Sequence, residues 1–182
     1  LGYYIATLIS TLLICLLAAG AGFLYLGKVG WYLSGKDVML ILFDVFLLVM
    51  FGVALSSIIN FFMSTQGQIS AVGSIVSSMY GFICGAYMPI SQFSEGLQKA
   101  LSFLPGTYAT SLLRNHAMQG VFAEMKADGY PKEIINGLRD VIDCNVYFFD
   151  QKVELSTMYL ILSGSVVVLI GIYVVMNMMK RK

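Results

Sequence analysis

The chain has 182 residues, of which 58% are hydrophobic and only 12% charged, with a mean hydropathy of +0.82. Soluble domains carry about 25% charged residues, so a soluble globular protein is excluded, and a net charge of +1 gives no reason to expect a nucleic-acid partner. Residues 1–27, 45–94 and 155–179 hold no Asp, Glu, Lys or Arg, and a membrane span needs roughly 20 apolar residues, so this is an integral membrane protein.

Four segments have the length and apolarity of spans. Segment A is about Gly2–Leu26 and opens with LGYYIATLISTLLICLLAAG. It lacks the basic leader and short apolar core of a signal peptide. The expectation is that an N-terminal part of the protein precedes it. GKVGWYLSGKD, rich in Gly, Lys, Trp and Tyr, suits an interfacial loop. Segment B is about Val38–Met63, with Asp44 as its only charge. STQGQ is a tight polar turn into segment C, about Ile69–Met88. Segment D is about Leu155–Met179.

Segment C carries Gly73, Ser77, Gly81 and Gly85 four apart on one face, with Ser70, Ser74 and Ser78 beside them. Small residues let helix backbones approach closely in lipid. The face suits ordinary helix packing, and equally a moving partner or a substrate path. The run GFICGAYMPISQF then breaks the span at Pro89.

Residues 89–154 hold eight acidic and six basic residues, which makes this stretch an insert on one side of the membrane rather than a span. Ser91–Leu104 places Phe93, Leu97, Leu101 and Leu104 on one helical face, with Glu95 and Lys99 in the favourable order opposite. Its length of about 21 Å is too short to cross. Pro105-Gly106 predicts a turn, and Thr107–Met118 a resumed helix. Pro131–Asp143 is a second amphipathic candidate, with Ile134, Ile135, Leu138, Val141 and Ile142 as its stripe.

The basic tail Lys180-Arg181-Lys182 argues for a cytoplasmic C-terminus. Four spans then put both ends in the cytoplasm and 89–154 outside. Lys28 and Lys36, in the loop between A and B, would also lie outside and oppose that orientation.

Catalytic and cofactor motifs fail on their details. GFLYLGKV has G-x4-G-K spacing, but Val29 stands where a phosphate-binding loop needs Ser or Thr, and no strand precedes it. His116 is the only histidine and sits in the charged insert, and neither G-x-S-x-G nor H-E-x-x-H occurs. Asp140, Asp143 and Asp150 read as a solvated face rather than a calcium site. Cys15, Cys84 and Cys144 form no disulfide framework or metal spacing. The chain is therefore not expected to be an enzyme. Two intramembrane polar candidates remain. Asp44 is either functional or simply placed to reach interfacial water, Lys36 or Lys28. Asn60 suits a hydrogen bond between helices.

The run GFICGAYMPISQFSEGLQKALSFLPGTYATSLLRNHAMQG, Gly81–Gly120, resembles the signature region of type-2 ATP-binding-cassette (ABC) exporter permeases. In that family the fifth span ends in a Gly-rich stretch and a proline, and a re-entrant amphipathic hairpin follows. The matching positions are Gly81, Gly85, Pro89, Leu97, Pro105, Tyr108, Leu112, Leu113 and Arg114, with Gly106 at the hairpin turn. The resemblance implies an all-α membrane protein forming one permease domain over 1–182. Segments A to D would be spans three to six, and the first two spans and the ATPase-docking helix are not in this stretch. It implies a plasma-membrane half-transporter that exports a drug-like, lipid-like or peptide substrate. Its partners would be a second permease, identical or not, and a cytoplasmic ABC ATPase. ATP and Mg would sit on that ATPase, leaving no cofactor on this chain. The rival reading is a non-transporting, membrane-anchored protein whose outer insert binds a partner.

Overall fold

The computed structural model describes residues 2–149 and 151–180. Seven α-helices follow in order: α1 (Gly2–Val29), α2 (Gly35–Phe61), α3 (Gln66–Ile83), α4 (Glu95–Leu101), α5 (Pro105–Ala127), α6 (Lys132–Val141) and α7 (Leu155–Lys180). A 3₁₀ turn covers Ile90–Gln92. Among the described residues the strands are confined to a hairpin of β1 (Tyr147–Phe148) and β2 (Gln151–Lys152), antiparallel, with Tyr147 opposite Lys152 and Phe148 opposite Gln151.

The polar linkers work as helix starts. Ser34 Oγ accepts from the Asp37 amide at 3.2 Å, and the Asp37 carboxylate accepts from the Ser34 amide at 3.0 Å. This reciprocal capping box opens α2, and Thr65 with Gln68 repeats it at α3. Three helices end in the same six-to-one motif around a left-handed residue. At α3, Gly85 has φ +79° and the Ala86 amide reaches the Gly81 carbonyl at 2.9 Å. At α5 the left-handed residue is Gly129, and at α6 it is Asp143, with φ 55°.

Among the described residues, three helices are long and apolar enough to cross a membrane: α1 with 28 residues, α2 with 27, and Leu155–Met179 of α7 with 25. The 18-residue α3 is more polar, with Gln66, Gln68 and four serines, and ends at Ile83 rather than running on to Met88. Of its small-residue face, Gly73 and Ser77 are exposed, whereas Gly81 lies against Tyr87 and Gly85, beyond the helix end, is buried.

α2 is central, with α1 on one side and α5 and α7 on the other. Leu47 and Phe51 of α2 pack with Tyr108, Ala109 and Leu112 of α5 and Met158, Leu162 and Val166 of α7. A second cluster joins Tyr4 of α1 to Val49, Val53 and Ala54. α5 runs antiparallel to α2. Tyr108 shares the core with Phe51, His116 meets Asp44, and Gly120 meets the loop residue Tyr32.

Two sequence expectations need correction here. Ser91–Leu104 is not one helix. Ser94 starts a new helix after the 3₁₀ turn, so α4 is only seven residues long, and Leu101 is buried while Leu97 is exposed. Pro105-Gly106 does not make the turn either. Pro105 is the first residue of α5, where a missing N–H leaves nothing unsatisfied. The chain turns at Ser102–Leu104, and α5 continues to Ala127, nine residues beyond Met118.

Candidate functional site

The break between α3 and α5 leaves helix-end carbonyls that the helices alone do not fully satisfy, and a buried carbonyl left unpaired is costly. The side chains of α5 satisfy them. Thr107 Oγ1 donates to Leu101 O at 2.9 Å, and Tyr108 OH to Ser102 O at 2.5 Å. Thr110 Oγ1 donates to Cys84 O at 2.6 Å, and Arg114 Nη2 donates to Gly85 O. Ser111 Oγ reaches Cys144 O at 3.3 Å, and Asn115 Nδ2 bonds the same oxygen. One helix therefore closes the ends of three others, α3, α4 and α6.

Arg114 and Asp143 are the centre of this region. Their side chains meet at 3.1 Å. Asp143 Oδ1 accepts from the Ser91 amide at 3.0 Å, and Oδ2 accepts from the Ile90 amide. The carboxylate thus caps the 3₁₀ turn just after Pro89, and Ser91 Oγ donates back to Val141 O at 2.9 Å. Asp143 is buried and fully engaged, not part of a solvated face. Cys144 beside it is also buried, which pushes its thiol up to about 11.

Glycine makes the close contacts possible. A Cβ on Gly106 would lie 2.6 Å from Cys84 Sγ and from Tyr80 Cε1, and one on Gly81 2.6 Å from the Tyr87 ring. Gly85 needs its positive φ, and a Cβ there would meet Ile90 Cγ1 at 2.9 Å. Gly73 has nothing within 4 Å, and Ser77 bonds only the carbonyl of Ser74, at 3.2 Å.

A second polar cluster lies behind the break. Asp44 is 2% exposed. His116 Nδ1 donates to its Oδ2 at 2.6 Å, and Tyr159 OH donates to its Oδ1 at 2.5 Å. The expectation that Asp44 faces interfacial water, Lys36 or Lys28 is overturned, because α5 and α7 close over it. His116, expected in a charged outer segment, is buried between three helices for the same reason. Asn60 makes no side-chain hydrogen bond between helices among the described residues. The tail residues Arg181 and Lys182 lie outside the described residues. Among the described residues, no cluster of three or more His, Cys, Asp or Glu could hold a metal ion.

Of the cavities that adjoin these elements, two bear on the site. One of about 250 Å³ is polar and is bordered by Ser91, Gln98, Asp140, Asp143 and Asn145. The other, about 550 Å³, is an apolar groove between α1 and α2 that ends at Tyr80.

Three helices long and apolar enough to span, packed around a shared core, make this a multi-pass membrane protein. The particular family follows from the sequence match: the chain belongs to the ABC-2 family of transporter proteins, which it matches over residues 1–173. It is a permease component of an ABC transporter, a membrane subunit that works with an ABC ATPase. No curated protein and no solved structure matches the chain.

Proposed function

We propose that the chain is half of an ATP-driven export pathway in the plasma membrane. In this reading α1, α2, α3 and α7 cross the bilayer with both ends cytoplasmic. The stretch from Pro89 to the first half of α5 is a re-entrant plug in the outer mouth. A second permease faces α3 along Gly73 and Ser77, which are exposed in this chain. ATP and Mg sit on the partner ATPase. The substrate is drug-like, lipid-like or a peptide. The apolar groove of about 550 Å³ suits the apolar members of that set.

The observation that carries this reading is the use of α5 side chains to satisfy the broken backbone from Cys84 to Cys144. Non-helical backbone persists at membrane depth only when buried in protein. α5 also joins the break to Asp44 through His116, so a shift of α2 moves the plug with it. ATP binding drives export if it favours one of two such arrangements.

The rival, an anchored protein with an independent outer insert, is disfavoured because α5 lies in the core with α2 and α7. The deciding experiment is vesicle transport by the full permease with its ATPase. Export should stop when the ATPase carries a hydrolysis-blocking substitution. Outward transport that persists unchanged would overturn the proposal.

A further inference from the structure

Three phenylalanines form a cluster outside both hydrophobic cores. Phe103 and Phe148 rings lie 5.1 Å apart, Phe148 and Phe149 4.9 Å, and Phe103 and Phe149 5.9 Å, all edge-on. They are nevertheless 62%, 38% and 54% exposed. Phe149 follows β1 directly and has φ 47°. A bulky residue is disfavoured at positive φ. The protein therefore holds a large apolar ring in a strained conformation without burying it. The three rings pack on one another yet leave much of their surface exposed, and a contiguous exposed apolar patch of this kind marks a contact with a partner or a membrane.

Position identifies the contact. Lys152, closing β2, is three residues before Leu155, the first residue of the α7 span. At about 3.3–3.6 Å per residue, the hairpin starts within about 11 Å of that span end. Phe103 is two residues before Pro105, where α5 enters the helix bundle beside Tyr80. The cluster is thus bounded by two chain entries into the bundle. Tyr147 and Lys152, paired across the hairpin, are side chains that keep an apolar body in lipid and a polar tip in water.

We propose that Phe103, Phe148 and Phe149 insert into the bilayer surface where α7 begins, fixing the outer insert to lipid. The inference needs only the membrane spans, so it stands or falls separately from export. It is tested in the full permease with its ATPase, reconstituted in phosphatidylcholine vesicles. Trp31→Phe removes the one tryptophan of these 182 residues, any tryptophan elsewhere in the permease or ATPase is replaced by Phe in the same way, and Phe149→Trp or Phe103→Trp then reports on the cluster. Both reporters should emit blue-shifted light, lose intensity in vesicles with brominated acyl chains, and resist iodide supplied on both sides. Quenching by iodide but not by bromine would show a water-exposed cluster and overturn the proposal. Resistance to both quenchers would place the cluster against protein, either a second copy or another chain, and would overturn it equally. Phe103→Trp leaves the turn residue native, so its result holds even where Phe149→Trp disturbs the hairpin.

Discussion

His116 Nδ1 lies 2.6 Å from Asp44 Oδ2, joining residues 72 positions apart in the middle of the helix bundle. Removing one member of a buried pair strands the other, at about 3–5 kcal/mol, whereas replacing both with apolar residues is often neutral. His116→Leu leaves the Asp44 carboxylate with only the Tyr159 hydroxyl. We expect His116→Leu and Asp44→Leu each to lose about 3–5 kcal/mol of stability in detergent, and the double variant to regain most of it. Tyr159→Phe should lose about 1.5–3 kcal/mol. Denaturant unfolding of the four variants checks this. Single variants as stable as the parent would show that the pair does not hold α5 to α2.

Asp143 combines an unfavourable backbone with a carboxylate that three neighbours use. Asp143→Gly relieves the backbone but drops the amides of Ile90 and Ser91 and the Arg114 contact. Asp143→Ala drops the same contacts and keeps the strain. The expected order of stability is parent, then Gly, then Ala, with about 1–2 kcal/mol between the last two. Thermal unfolding ranks them. An alanine variant at least as stable as the glycine one would mean that φ 55° stores no strain.

The apolar runs are legible in the sequence because they are local, whereas the two linkers read only as a loop and a polar turn, not as capping boxes. Charge-free runs mark α1, α2 and α7. Ser34 to Asp37 and Thr65 to Gln68 are three apart, within one helical turn. Gly81, Gly85, Pro89, Tyr108 and Arg114 could be singled out because they lie close together in sequence. Their partners could not. Arg114 meets Asp143 29 residues on, and Asp44 meets Tyr159 115 residues on. The one available signal was that a buried carboxylate needs a donor and the chain offers a single histidine. Counting His116 into the charged insert hid that signal. The length of α5 was also hidden, because its buried face carries Thr107, Ser111 and Asn115, polar residues that serve carbonyls rather than an apolar stripe.

Gly120 of α5 lies against the loop between α1 and α2, and a Cβ there would come within 1.6 Å of the Tyr32 carbonyl oxygen. Backbone cannot yield that far while α5 also holds Asp44. Gly120→Ala should therefore fail to give a monodisperse folded protein. Gly137, inside α6, has nothing within 4 Å, so Gly137→Ala should gain about 0.5–1 kcal/mol from helix propensity. Size-exclusion profiles and melting temperatures of the pair separate steric effects from the general loss of a glycine. A well-folded Gly120→Ala protein would rule out the close approach.

Gly73 and Gly85 share one face in sequence and differ in the fold. Gly85→Ala adds a Cβ at positive φ and should cost about 1–2 kcal/mol. Gly73→Leu points into open space in this chain and should leave the stability of the isolated subunit unchanged. If a second permease covers that face, Gly73→Leu lowers transport and weakens subunit association. Normal transport by Gly73→Leu would remove α3 as the contact surface.

Cys144 gives a pH-dependent readout of the packed insert. Burial is the main cause that raises its thiol from 9.0 to about 11, with Arg139 and Arg114 pulling the other way. The folded state thus prefers the neutral thiol. Its contribution to stability is complete below pH 9.0 and is lost as pH rises from 9.0 through about 11, because the unfolded chain releases the proton first. At neutral pH the native thiolate is scarce, and thiolate is the species that alkylates. Iodoacetamide should therefore label Cys144 slowly in the native protein and rapidly after unfolding. The stability of the parent relative to Cys144→Ala should decline across the alkaline window. Rapid native labelling would mean that α5 and the 143–146 segment do not seal the thiol as Ser111 and Asn115 suggest.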